Sequence, residues 1–503
     1  MPAPDPTRAL AGGTEGPDAL RPLLATVLDA LAHGATTRHG PLPAGGPHTV
    51  DQRVRAVTEP AIPETGTGAH EALHTLVHTL TAGTADPAHP HCAAHLHCPP
   101  LALAAAADLA ASALNPSMDS WDQAPAASQL EARTTRALAA LAYPDRPAPD
   151  ALVTTGGTES NQLAVLLARE APAPHASTPA PVSVPTHGST HGSTHARCRA
   201  DPLRIICGAN AHHSIHRAAW LLGLPAPVTI PTPTGTIDPA HLAETLTTTR
   251  NQGPGPLLVI ATAGTTDTGQ IDPLPEIAAL CHTHRATLHV DAAYGGPLLF
   301  SHPLRPLLNG LDRAHTITLD LHKLGWQPIA AGLLLVPDTT ALRPLDHRAD
   351  YLNADDDTEA GLPDLLGRSL RTTRRPDILK IAVTLRALGR DGLAHLIETV
   401  CTTAHRLADL IDAHPALELH SRPTLSTVLF RPANATADTV AAIRRRLLHQ
   451  GRAVLGRATT PTGLWLKATL LNPHTRPADL HALLHLIAPP PEGAPADDHR
   501  TTP

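Results

Sequence analysis

Apolar residues recur at helical spacing over 18–34 (DALRPLLATVLDALAHG) and 70–80 (HEALHTLVHTL), and similar patterns predict helices over 101–114 and 126–142. From about residue 151 the pattern changes. Short apolar runs at 151–154, 203–207, 257–262, 286–291, 315–319 and 332–336 alternate with helix-length amphipathic segments. Such alternation predicts an α/β fold, a mainly parallel sheet with helices on both faces. Beyond 391 the order shifts again. A long helical segment leads to strand-like pieces at 417–420 and 425–430, a helix at 437–450, further pieces at 453–457 and 463–469, and a last helix at 477–487. That succession predicts a smaller α+β unit.

Three stretches break the pattern. Residues 1–16 are rich in Pro, Gly and Ala, 489–503 are rich in Pro, and 171–202 carry a short HGST repeat. Their composition cannot bury a core, so the expectation is two disordered tails and a flexible surface insertion. The expected organisation is a helical segment over 17–100, a large domain over 101–390 and a small α+β domain over 391–488.

Composition narrows the function classes. With a formal net charge of -7 and 17% charged residues, the chain has no basic face of the kind nucleic acid demands. No apolar run approaches the roughly 20 residues of a membrane span, and the N-terminus lacks a charged start followed by an apolar stretch. Six cysteines in 503 residues make no disulfide framework. These features predict a soluble, cytoplasmic protein without nucleic-acid or membrane partners. Aromatic residues make up only 2% of the chain, and two of its three tyrosines, Tyr294 and Tyr351, fall in or near the chemistry-bearing motifs.

In TITLDLHKLGWQPIAAGLLLV (316–336), Lys323 sits between two strand-like runs with His322 beside it. Burying an ammonium without a partner is costly, so a lysine there calls for a role. Upstream, LHVDAAYGGPLLF (288–300) is a strand ending at Asp291, and ligands of open α/β sheets bind outside the carboxyl ends of strands. A turn-capping aspartate is the plainer alternative. LVTTGGTESNQLAVLLARE (152–170) reads as strand, glycine turn and helix. Gly157 and the Thr158 and Ser160 hydroxyls stand at the helix start, a natural phosphate cradle. A glycine turn of this kind is weak alone. His212 and His213 precede a helix, although with 34 histidines a chance occurrence is the default. Gly264, Thr265 and Thr266 end another strand. Cradle, acid, polar turn and lysine thus arrive in order along successive strand ends, a combination far more specific than any member. The run HPHCAAHLHC (89–98) has metal-like proximity, but its spacings form no two tidy ligand pairs, and no metal is expected.

The segments TTGGTESN, AHHSIHRAAWLLGL, ATAGTTDTGQIDPL, HVDAAYGG and DLHKLGWQP resemble, in order and spacing, the pyridoxal-phosphate-dependent amino acid decarboxylases related to glutamate and aromatic amino acid decarboxylases. The resemblance spans roughly 85–487. Stretches 95–131, 349–380 and 466–473 are similar to a narrower branch acting on diamino acids and lysine, often tied to siderophore synthesis. Cys92 and Ala93 depart from it, standing where relatives commonly carry a bulky residue.

The resemblance implies a large domain of the aspartate-aminotransferase type, fold type I, and a homodimer with active sites at the interface. It also implies pyridoxal 5'-phosphate bound covalently to Lys323, with Asp291 on the pyridine nitrogen. His212 and Ala293 would lie on the two ring faces, Gly157, Thr158 and Ser160 at the phosphate, Thr265 near the ring hydroxyl and His322 beside Lys323. Arg374, or its neighbour Arg375, would grip the substrate carboxylate. Tyr351, reaching in from the partner subunit, would protonate the carbon that loses CO₂, and His97 falls in a wall of the substrate pocket. Asp119 and Asp122 are candidates for the acid that meets a distal amine; alternatively they cap helices or hold Trp121.

The expected activity is decarboxylation of an L-amino acid to the amine and CO₂, with L-2,4-diaminobutyrate or lysine as substrate. The alternatives are a glutamate or aromatic amino acid decarboxylase, or an aldehyde-forming relative. A cysteine desulfurase is disfavoured because Cys401, the one cysteine beyond Lys323, lies in a helical stretch. A non-catalytic relative is disfavoured by retention of the whole residue set.

Overall fold

The computed structural model describes residues 10–171, 201–346 and 355–488. Helices α1 (Gly16–Arg38), α2 (Gly46–Thr58) and α3 (Ala69–Gly83) are followed by a two-residue strand, β1 (Cys92–Ala93). Next come α4 (Ala102–Leu114), α5 (Pro125–Ala142), β2 (Asp150–Thr154), α6 (Gly157–Glu170), β3 (Arg204–Gly208), α7 (Ser214–Leu221) and β4 (Val228–Ile230). The sheet continues through α8 (Pro239–Asn251), β5 (Leu257–Thr262), α9 (Leu274–Thr283), β6 (Thr287–Asp291), β7 (Thr316–Asp320), the one-turn α10 (Leu321–Leu324) and β8 (Gly332–Val336). The short α11 (Asp355–Glu359) precedes α12 (Ile378–Asp412), whose helix breaks at Gly389, with φ +63°. The remaining elements are β9 (Leu417–Leu419), β10 (Thr427–Pro432), α13 (Ala437–His449), β11 (Val454–Thr460), β12 (Gly463–Thr469) and α14 (Pro477–Ile487).

Two compact units emerge, one formed by 100–397 and the other by the residues up to 99 together with those from 398 onward. In the second of these, β1 pairs in parallel with β11, extending an otherwise antiparallel sheet of order β1-β11-β12-β10-β9. Ala93, Leu407, Val428, Phe430, Leu455, Leu466 and Leu483 share its core. In the same unit, α1 crosses α3 closely at Gly34, where a Cβ would lie 2.7 Å from the His78 carbonyl oxygen.

The other unit is built on a seven-stranded sheet of order β2-β8-β7-β6-β5-β3-β4. β8 runs antiparallel to both β2 and β7, and every other pairing is parallel. The reversal has a simple cause: the link from β7 to β8 is too short for a crossover, and only an antiparallel return fits. Strands β5 to β8 are buried along their whole length apart from Thr287, as a sheet covered on both faces requires. Because β2 runs parallel to β7, the carboxyl ends of β2, β3, β5, β6 and β7 share one edge, which delivers Thr154, Gly208, Thr262, Asp291 and Asp320 to one neighbourhood.

Candidate active site

Along that edge lies a cavity of about 350 Å³, lined by Thr155–Thr158, Asn161, Asn210, His212, Thr262, Gly264, Thr266, Asp291, Ala293, Tyr294, Asp320, His322 and Lys323. Lys323 stands on the single turn of α10, directly after β7. Its Nζ lies 3.0 Å from Asp320 Oδ2, with His322 Nε2 at 3.6 Å from the same oxygen. Asp320 is 1% exposed, and its Oδ1 is buried with no hydrogen-bond donor on it among the described residues. The lysine is therefore held by charge inside the pocket rather than solvated outside it.

Asp291, at the end of β6, accepts hydrogen bonds from the Ala293 backbone N–H (3.1 Å) and from Asn161 Nδ2 (2.8 Å). Asn161, one turn into α6, is the hub of the site. Its Nδ2 also donates to Ser214 Oγ (2.9 Å), and its Oδ1 meets the Thr318 hydroxyl (2.7 Å) and His289 Nε2 (3.0 Å). His289 Nδ1 lies 2.8 Å from the Thr316 hydroxyl. Burial holds the His289 imidazole below its ordinary pKa, against the pull of Asp291. A neutral His289 that donates through Nε2 satisfies the whole chain and leaves both amide hydrogens of Asn161 for Asp291 and Ser214. Asp291 is thus kept an acceptor, with its carboxylate fixed in orientation. Ser214 Oγ lies 2.8 Å from His212 Nδ1, the natural direction being from the hydroxyl to the ring. The His212 pKa is lowered by burial, partly offset by Asp291.

At the opposite end, the glycine turn runs into α6, whose first N–H groups have no partner within the helix. A Cβ on Gly156 would lie 2.9 Å from His322 Cε1, and one on Gly157 would lie 3.1 Å from Ala293 Cβ and 3.2 Å from Asp320 Oδ2. The turn is shaped by Glu159, whose Oε2 accepts from the Thr155 backbone N–H and hydroxyl, both at 2.7 Å.

Lys323, His322, Asp291, Ala293, His212, Gly157 and Thr158 all line the one cavity, while several other expected residues are placed differently. Ser160 is buried with its hydroxyl 2.7 Å from that of Thr154, so it braces the cradle from behind. The Thr265 hydroxyl lies 2.7 Å from that of Thr268 and accepts from the Gln270 N–H, within its own turn; Gly264 and Thr266 line the cavity instead. Arg374 is placed otherwise than expected: its two terminal nitrogens are bound to Glu131 at 2.6 and 2.8 Å, and the pair is almost fully buried. Arg375 is likewise engaged, by Asp108 and Asp377. Asp119 accepts from Gln123 Nε2 and Asp122 from the Ser120 hydroxyl, bonds that hold the turn around Trp121. His97 belongs to the other unit, where it is exposed. Tyr351 lies outside the described residues, as do most of 171–202 and the greater part of both tails.

Asn161, His289 and Asp320 carry the site's polar framework, yet sequence patterns did not single them out. Asp320 had a local signal, since its spacing to Lys323 places both on one turn. Asn161 and His289 stand at the ends of the segments TTGGTESN and HVDAAYGG, but nothing local marks their contacts, because their partners are distant in sequence.

The fold and these residues define a cofactor-dependent enzyme, and the comparison with known proteins says which. The profile of the pyridoxal-dependent decarboxylase conserved domain matches residues 52–433, and the chain belongs to that family. It is therefore a pyridoxal-phosphate-dependent amino acid decarboxylase of fold type I. The L-2,4-diaminobutyrate decarboxylase of Rhizobium meliloti (strain 1021) is 40% identical over 443 residues, 85% of this chain and 83% of that one. The enzyme of the same name from Acinetobacter baumannii is 33% identical over 421 residues, 81% of each. A crystal structure from Vibrio parahaemolyticus, the glutamate decarboxylase domain of a diaminobutyrate-pyruvate transaminase and L-2,4-diaminobutyrate decarboxylase, superposes with a TM-score of 0.81. It is 30% identical and covers 95% of this chain and 96% of that one.

The cavity fits the cofactor. The glycine turn has no room for a Cβ where a phosphate is expected, Asp291 is a fixed acceptor for a ring N–H, and Lys323 is the amine within the same pocket.

Proposed function

We propose that this decarboxylase acts on an L-diamino acid, L-2,4-diaminobutyrate in the first place, releasing CO₂ and 1,3-diaminopropane. The observation that supports this substrate is the 40% identity, over most of both chains, to an enzyme of that name. Lys323 would hold the cofactor's aldehyde carbon, Asp291 the ring nitrogen, and the N–H groups at the start of α6 the phosphate. Bound there, pyridoxal 5'-phosphate supplies the electron sink for the charge left on carbon as CO₂ departs. Asp291 keeps a proton on the ring nitrogen, and Asn161 and His289 keep Asp291 in place. His212, depressed by burial and oriented by Ser214, would present an uncharged ring beside the reacting atoms. Lys323, paired with Asp320, would be the amine that yields its place to the substrate's own amine. Tyr351 would return a proton to the carbon that lost CO₂, which fits a weak acid in sequence beyond the lysine motif.

Further parts of the proposal are a cytoplasmic location and a homodimer in which Tyr351 serves the neighbouring site. The exposed Leu28 and Leu80 of α1 and α3 support an association surface. Among the described residues, no helix is long and apolar enough to cross a membrane.

The test is CO₂ release, with identification of the amine, from a panel of L-2,4-diaminobutyrate, lysine, ornithine, glutamate, aspartate, tyrosine and tryptophan. Turnover confined to the diamino acids is expected. Turnover of glutamate or an aromatic acid in their place would overturn the substrate assignment.

A further inference from the structure

Asn161 joins Asp291 to His212. Its Nδ2 donates to Asp291 Oδ2 at 2.8 Å and to Ser214 Oγ at 2.9 Å, while its Oδ1 accepts from the Thr318 hydroxyl and from His289. An ionised carboxylate only accepts, so Asp291 decides which end of the Asn161 amide it meets. An amide NH₂ only donates, so the single proton of the Ser214 hydroxyl is left for His212 Nδ1, 2.8 Å away. The Ser214 backbone N–H points at the same ring nitrogen from 3.3 Å. With two donors on Nδ1, a neutral His212 carries its proton on Nε2. Burial lowers the His212 pKa, which favours the neutral ring. His212 lines the cavity, and its Nε2 has no hydrogen-bond partner among the described residues.

We propose that Asp291 fixes the tautomer of His212 through Asn161 and Ser214, so that His212 meets the reacting molecule as a hydrogen-bond donor and not as a base. Asn161 and Ser214 are then positioning residues. While Asp291 is ionised, the Nε2–H of His212 can donate to an oxygen of the bound amino acid. It has no lone pair with which to take that molecule's α-proton, so this competing loss is disfavoured against loss of CO₂. The lock itself makes and breaks no covalent bond; it orders the protons along one chain of hydrogen bonds. Its functional part rests on the cofactor reading above, whereas the lock belongs to the chain alone.

Asp291→Asn keeps the size of the side chain and reverses the chain of bonds. The Ala293 N–H, 3.1 Å from Oδ1, holds the oxygen of the new amide and turns its NH₂ toward Asn161. Asn161 then offers its own oxygen to that NH₂ and to Ser214, and the Ser214 proton leaves His212 Nδ1. The imidazole proton moves to Nδ1, and a lone pair opens on Nε2.

Diethyl pyrocarbonate tests this, because it acylates only an imidazole nitrogen with a free lone pair. The full-length, cofactor-free chain would be treated at pH ~8, above the ordinary imidazole pKa of about 6.5. Initial labelling of His212 would be followed by peptide mass mapping, with the exposed neighbour His213 as the reference on the same peptide. The ratio of His212 to His213 labelling should rise about tenfold in Asp291→Asn and about two- to tenfold in Ser214→Ala. Adding Asp291→Asn to Ser214→Ala should change the ratio by less than about twofold, because the connection between the two sites is already cut. An unchanged ratio in either single variant, or the full effect of Asp291→Asn surviving in the double variant, would overturn the proposal. A wild-type chain that shows the lock but fails to bind pyridoxal 5'-phosphate in an absorbance titration would overturn the cofactor reading instead.

Discussion

The pairing of Arg374 with Glu131 shows how burial decides what a charged residue can do. Both side chains are all but removed from water, and two hydrogen bonds join them. Removing one partner of such a pair leaves an uncompensated buried charge, which costs about 3–5 kcal/mol. Glu131→Gln is accordingly expected to lower the unfolding free energy by an amount in this range, measured by denaturant titration. A loss under about 1 kcal/mol, well below that range, accompanied by a large rise in KM, would return Arg374 to the substrate. A motif shows that an arginine is present; it does not show which carboxylate has already claimed it. The Ser160 and Thr265 hydroxyls illustrate the same point, since the partners that turn them from the cavity are set by the folded turn. Lys323, Asp291 and His212 were legible because each is placed by the end of a strand or the start of a helix, and that placement survives folding.

At the scale of elements, long periodic segments were read well and short ones were not. The expected strand at 257–262 is β5, and those at 286–291, 315–319 and 332–336 differ from β6, β7 and β8 by at most one residue at an end. Their apolar runs are buried on both faces of the sheet, so hydrophobicity alone marks them. α2 escaped notice because it is polar overall and none of its residues is buried, so it lacks the apolar content that marks the other helices. β4 has three residues, two of them exposed, and β1 only two. Each is fixed by pairing with a distant strand rather than by its own sequence. β1 also shows why the N-terminal segment groups with the C-terminal one: its partner is β11. The reversal of β8 follows from loop length, which sequence shows only once the strand assignments are known.

For the molecule as a whole, the histidines set the response to acid. Burial lowers the pKa of His89, His95, His212, His289, His315, His322 and His420. Each is neutral when folded and takes up a proton on unfolding once the pH falls below the ordinary value of about 6.5. The unfolded state then binds more protons, so stability rises with pH and is lost as the pH falls through 6.5 and below. Each such histidine contributes up to about 1.4 kcal/mol per pH unit. Asp272, pushed up to about 6 by burial, and Asp377, also raised by burial, act in the opposite sense between their unfolded and folded values, but these two stand against seven histidines. Denaturant midpoints measured from pH 8 to pH 5 should therefore be level above 7 and fall steeply below 6.5. A profile that stays flat or rises toward acid would contradict this assignment of neutral histidines.

The central claim is that Lys323 is the cofactor-bearing amine, and this chain makes that claim unusually easy to check. It has only three lysines, Lys323, Lys380 and Lys467. Lys380 is 1% exposed and bound between Asp108 and Asp377, while Lys467 is buried in the other unit. The first measurement is borohydride reduction of the pyridoxal-phosphate-loaded chain, followed by mass mapping of the modified peptide. The expected result is one cofactor mass on the peptide containing Lys323, and none in Lys323→Ala. A label on Lys380 or Lys467 in its place, or full labelling and turnover in the Lys323→Ala chain, would contradict the assignment.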